Sequence, residues 1–178
     1  MATLGDADAV AVQIGRPPRS TVDVVARCHL GLPVVIAVPP LLDDGTPFPT
    51  RYWLTCPLAV RRIGRLEAAG GVEAAWRRVE TEAGYGARYA AAMDRYRAER
   101  DALVDVTRSG PRPGGGVGGS QGGVKCLHAH YADHAAGNDN PVGEDAAAAV
   151  EPLDCTTTCV AIVEGTPARN PDWFEPRR

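Results

Sequence analysis

Three short runs rich in β-branched residues, at 22–26, 34–38 and 51–55, are set off from one another by glycine, proline and Asp-Gly signals. Runs of that kind read as strands, so this third of the chain is expected to form a small antiparallel sheet. The stretch 43–49 is too proline-rich for a strand and joins the second and third runs as a longer hairpin loop. Beyond it the pattern becomes helical. Pro57 suits the first position of a helix, which makes Cys56 a candidate N-cap and predicts a helix through Leu66 to the Gly70-Gly71 stop. Val72, Trp76 and Val79 share one face of a second helix over 72–83. Along a third, 86–105, Tyr85, Tyr89, Met93, Tyr96 and Leu103 recur at helical intervals, a stripe read as core rather than as a cofactor site. Ahead of the sheet, 6–14 fits a short helix, although its VAVQI also suits a strand.

The segment 108–123, RSGPRPGGGVGGSQGG, is read as a long flexible glycine-rich loop. Gly114, Gly116 and Gly119 satisfy G-x-G-x-x-G, but a glycine tract does so by chance and no strand precedes it. Helices are expected over 124–136 and, after the Asn138-Asp139-Asn140 turn, over 141–150. A strand over 156–163 is expected to add an edge to the sheet, with Trp173 and Phe174 anchoring an otherwise loose tail, 151–178. The whole reads as one α+β domain over 1–178, a small antiparallel sheet packed with several helices, its core at about 10–150.

With 44% apolar and 23% charged residues, the chain has the composition of a packed domain rather than a disordered one. A formal net charge of -3 offers no general attraction to phosphate backbones, which argues against nucleic acid as a partner. The N-terminus lacks a basic leader before an apolar run, and no segment has the apolar length of a membrane span, so a cytoplasmic setting is expected. Five dispersed cysteines, an odd number, argue for reduced thiols over a disulfide framework.

The chemistry-bearing residues cluster around Cys126, where His128, His130 and His134 fall within seven positions. On the helix expected over 124–136, Cys126, His130 and His134 succeed one another at i, i+4 and i+8 and form one stripe, with His128 roughly on the opposite side. Cys28, Cys56 and Cys126, joined by His130 or His128, would make a Cys3His zinc site, and the three thiols alone a cluster with one open iron. No C-x-x-C knuckle supports either, so convergence depends on the fold; the histidines favour zinc. The inert alternative has the cysteines as small buried residues. A metal-free alternative makes Cys56, at a helix start, or Cys126, beside the sole lysine Lys125, a low-pKa nucleophile with His128 or His130 as base. Arg16, Arg19 and Lys125 are candidates for a small anionic ligand such as a phosphate, among 18 arginines that are mostly expected to be solvated. For Cys155 and Cys159, the reading is a local disulfide, a late ligand or, first among these, no role.

Four stretches carry a resemblance: QIGRPP at 13–18, ARC at 26–28 with GLP at 31–33, GTPFPT at 45–50 leading to LTCP at 54–57, and VKCLHAH at 124–130 followed by NPVG at 140–143. In this ordered set, over about 10–150, the chain resembles the actinobacterial domain-of-unknown-function family 501. The resemblance implies lineage and a cytoplasmic setting. Genes of that family neighbour those of a septum-formation-initiator-like protein and an exopolyphosphatase, which suggests an adaptor or protein partner of the division or envelope machinery as an alternative function. The motifs fall on Cys28, Cys56, Cys126, His128 and His130, which favours a shared metal site.

Overall fold

A computed structural model describes residues 4–107 and 109–177. Helix α1 (Asp6–Ile14) comes first, closed by Gly15 in the left-handed conformation. Strands β1 (Asp23–Arg27), β2 (Pro33–Ala37) and β3 (Tyr52–Leu54) follow in an antiparallel sheet ordered β1-β2-β3, with Ile36 opposite Trp53 and Val24. The central strand is buried along its whole length, which fits its unbroken apolar sequence. Alternation along the strands feeds two cores. Val35 and Leu54 face the larger one, while Ile36 packs with Val10 of α1, Val38 and Leu42 in a smaller one on the other side.

Helices α2 (Pro57–Ala68), α3 (Gly71–Thr81), α4 (Ala83–Ala102), α5 (Leu127–Ala135) and α6 (Pro141–Val150) build the larger core. The expected stripe is there: Tyr85, Tyr89, Met93 and Tyr96 are buried on α4. Leu103 is not part of it, because the helix ends one residue earlier and leaves that side chain 53% exposed. Asn140 caps α6 by accepting from the Gly143 N–H, with Pro141 at the first helical position. Gly143 lets α6 approach α5 closely, since a β-carbon there would be driven into the His130 carbonyl oxygen.

Three expectations need correction. α5 begins at Leu127, not 124, so Cys126 is its N-cap, with extended backbone at φ -158°, and is not on the helical stripe. The strand near 160 does not join the main sheet: β4 (Val160–Val163) pairs only with β5 (Thr166–Arg169), in a separate two-stranded hairpin. The C-terminal segment is also not loose. The buried guanidinium of Arg62 donates to the Val150 and Pro152 carbonyls at 2.9 and 2.6 Å and to Asp154 at 2.8 Å, fixing the chain as it leaves α6. Leu153, Cys155 and Trp173 then pack against the larger core. Residues 151–177 thus form a clasp over one end of the domain.

The glycine-rich segment is a loop in which a single 3-10 turn (Val117–Gly119) occurs, and its second half is anchored. Val117 is fully buried and Arg100 donates to the Gly114 and Gly115 carbonyls. Arg108, at the start of that loop, lies outside the described residues. Among the described residues, no helix is long and apolar enough to cross a membrane.

Candidate functional site

The structure divides the expected cysteine and histidine set between two places. Cys126 and His128 stand together at the start of α5, whereas Cys28 and Cys56 line a cavity elsewhere with Cys155 and Cys159. The third-ligand position beside Cys126 is taken by Glu67, on the last turn of α2. One ligand atom from each of Glu67, Cys126 and His128 lies within 4.8 Å of the other two, the one such set of three among the described residues.

Local structure explains the grouping. With Cys126 at the N-cap and His128 two residues on, the extended backbone turns the thiol to the side of His128 rather than to that of His130. The α5 terminus meets the end of α2, where the Leu127 N–H donates to Glu67 Oε1. A carboxylate at a helix N-terminus is electrostatically favoured. His128 Nδ1 sits 3.1 Å from the same Glu67 oxygen, and its Nε2 sits 3.1 Å from the Val60 carbonyl oxygen. A neutral imidazole carries one N–H, so one of those two contacts must set a lone pair against a lone pair. Two species relieve it: a doubly protonated ring, or a cation held between Nδ1 and the carboxylate while Nε2–H donates to Val60. The second pattern is that of a metal-ligating histidine oriented by a backbone carbonyl. His128 and Glu67 are 29% and 24% exposed at the side chain, so the group is open to solvent on one side. It borders a groove of about 440 Å³ that Cys126 and His128 line together with Tyr52, Trp53 and Phe48.

The remaining expected residues behave differently. His130 is fully buried, stacked on Tyr89 at 5.7 Å, with Nδ1 3.1 Å from Asn140 Oδ1. Burial pushes its pKa down to about 4, the Asn140 bond only partly opposing this, and it is not part of the Glu67 group. Neither thiol is poised as a nucleophile. Burial pushes Cys56 up to about 11, and the amide N–H groups of Ala59 and Leu58 offset little of that. Burial likewise raises Cys126; the Glu67 charge adds to it, and Lys125 beside it only partly compensates. The proposed anion ligands do not converge either. The Arg16 guanidinium lies over Trp53, Arg19 pairs with Asp44, and the Lys125 ammonium donates to the Gly118 carbonyl at 3.1 Å. Arg16 and Arg19 border a small cavity of about 110 Å³ that Lys125 does not line.

Sequence reasoning missed Glu67, which carries no local motif, and set aside Cys155 and Cys159. The C-x-x-x-C spacing of those two, with Trp173 in the same segment, was the available signal. In class, this is a small α+β protein with thiol, imidazole and carboxylate groups of metal-ligand type gathered where the end of α2 meets the start of α5. The chain belongs to DUF501, a family described as proteins of unknown function, which it matches over residues 24–148. That span includes Cys28, Cys56, Glu67, Cys126 and His128 and stops before Cys155. No curated protein and no solved structure matches the chain.

Proposed function

We propose that this protein binds a divalent metal, zinc by the chemistry of its ligands, through Glu67, Cys126 and His128. The observation that carries the reading is the convergence of one ligand atom each from Glu67, Cys126 and His128 within 4.8 Å of one another, with His128 Nε2 against the Val60 carbonyl as the second nitrogen of a ligating histidine is. One carboxylate, one thiolate and one imidazole form a mixed donor set of the kind zinc accepts, and three protein ligands leave a fourth position for water. That position faces the groove lined by Tyr52, Trp53 and Phe48, so a ligand lying in the groove would reach the metal. Zinc bound in this way would acidify its water towards neutrality, the chemistry of a hydrolytic centre.

Zinc titration of the metal-free full-length protein tests this, with Co2+ as the spectroscopic probe of thiolate ligation. One equivalent should bind at this site, and His128→Ala and Cys126→Ser should each weaken it by at least about tenfold, as loss of a ligand or its orienting shell does. Equal affinity in wild type and both variants would refute the assignment.

A further inference from the structure

Four of the five cysteines line one cavity, and they come to it from three separate parts of the chain. Cys28 follows β1 in a tight turn closed by Cys28 N–H to Leu32 O and Gly31 N–H to Cys28 O. Cys56 leaves β3 and caps α2. Cys155 and Cys159 lie in the loop between α6 and β4. We propose that Cys28, Cys56, Cys155 and Cys159 form a four-thiolate cage for a soft metal centre, separate from the Glu67 group and independent of it.

The surroundings of the sulfurs supply a second, independent observation. Trp173 directs its indole N–H at Cys155 Sγ, 3.4 Å away, and Gln13, itself buried, directs an amide N–H at Cys159 Sγ, 3.7 Å away. An indole N–H can only donate, and a neutral thiol is a poor acceptor. Metal-bound thiolates are strong acceptors, and N–H groups aimed at sulfur are one of the ways proteins tune such centres. The amide N–H groups of Leu58 and Ala59 act on Cys56 in the same sense. Cys155 and Cys159 thus each have a side-chain N–H directed at the sulfur.

The clasp gives the cage a structural purpose. A two-stranded hairpin is marginal without packing, and β4–β5 forms a separate two-stranded sheet that, among the helices and other strands, rests mainly on α1. Of the clasp's residues only Val160 is fully buried. The segment is held to the domain by packing of the hairpin on α1 and of Leu153, Cys155 and Trp173 against the larger core. Polar contacts from Arg62, Tyr131, Arg61 and Arg65 add to this, with His29 Nε2 2.8 Å from the Cys155 carbonyl. A metal joining Cys28 and Cys56 of the domain to Cys155 and Cys159 of the clasp would staple one to the other, making binding energy into folding energy. The cavity, about 10 Å³, has room for roughly one water-sized centre. No three of the four sulfurs lie within 4.8 Å of one another. A zinc ion would draw them inward, whereas an iron–sulfur cluster would hold them wide; both are four-thiolate centres.

The test is zinc, iron and acid-labile sulfide content, with the absorption spectrum, of anaerobically prepared full-length protein and its Cys155→Ser, Cys159→Ser and Cys126→Ser variants. The expected result is a stoichiometric centre that each of the first two variants loses, whereas Cys126→Ser loses at most the separate metal of the Glu67 group and keeps this one. Iron with sulfide and visible charge-transfer absorption identifies a cluster, and zinc alone a mononuclear site; either upholds the cage. Limited proteolysis of the wild type guards against misfolded variants, since chelation should expose 151–177 to cleavage while the rest resists. Metal content unchanged by Cys155→Ser and Cys159→Ser, or metal-free protein with a Cys155–Cys159 disulfide or four freely alkylated thiols, overturns it.

Discussion

Cys56 and Cys126 hold the same place in their helices, and their company differs completely. Each is an N-cap in extended conformation, each precedes a leucine within two residues, and each has amide N–H groups of the following turn acting on its sulfur. Cys56 is buried among three other thiols under the clasp, with no imidazole or carboxylate lining its cavity. Cys126 is half-buried beside Glu67 and His128, on the edge of an open groove. The same local device therefore yields two kinds of donor set: an all-sulfur enclosure suited to a closed structural centre, and a mixed, open set suited to exchange. What distinguishes them is tertiary: the C-terminal clasp covers one cap, and the end of α2 meets the other.

The sharpest way to break the contrast is to release the clasp. Arg62→Ala leaves the Val150 and Pro152 carbonyls and Asp154 without their charged donor, and should cost about 3 kcal/mol. Urea unfolding together with limited proteolysis should show 151–177 freed first; uniform resistance of that segment would mean the clasp does not depend on Arg62.

On the Cys126 side, α5 is held by a buried histidine whose protonation is costly. Because the His130 pKa falls from 6.5 to about 4 on folding, the unfolded chain binds more protons between those values. Its contribution is complete above pH 6.5 and is lost as pH falls towards 4, a change of about 3 kcal/mol. Stability measured across that window should flatten in His130→Gln, and an unchanged slope would assign the acid sensitivity to other groups. Gly143→Ala crowds the same contact and should destabilise by about 2 kcal/mol. It should also weaken zinc binding at Glu67, Cys126 and His128 while leaving the four-thiol centre intact; loss of both would show that the two regions are coupled.

The smallest effect concerns the thiols themselves. In metal-free protein, Cys126, less buried and beside Lys125, should alkylate before Cys56, whose thiol is held up near 11. Peptide mapping of partly alkylated protein reads the order, and the reverse order would remove the electrostatic distinction between the two caps.

Much of the fold was legible because local chemistry dictates it. Pro57 and Pro141 mark helix starts, the Gly70-Gly71 pair marks a stop, and the apolar run at β2 marks a strand buried on both faces. The α+β reading and the aromatic stripe of α4 follow from such rules. The site was legible only as residue types. Placing Cys126 inside the helix aligned it with His130, whereas its N-cap position sends the thiol to His128. Glu67 lies 59 positions before Cys126, and Cys155 lies 127 after Cys28, so no periodicity links either pair. Their meeting is decided by how α2 abuts α5 and by the buried Arg62 that turns the chain back after α6.

The claim that two cap cysteines serve two separate metal centres is tested most directly by anomalous diffraction from crystals of the metal-loaded, full-length protein. The account predicts two anomalous peaks, one between Glu67, Cys126 and His128 and the other among the sulfurs of Cys28, Cys56, Cys155 and Cys159. A single peak shared by Cys28, Cys56 and Cys126, or no peak at either place, would contradict it.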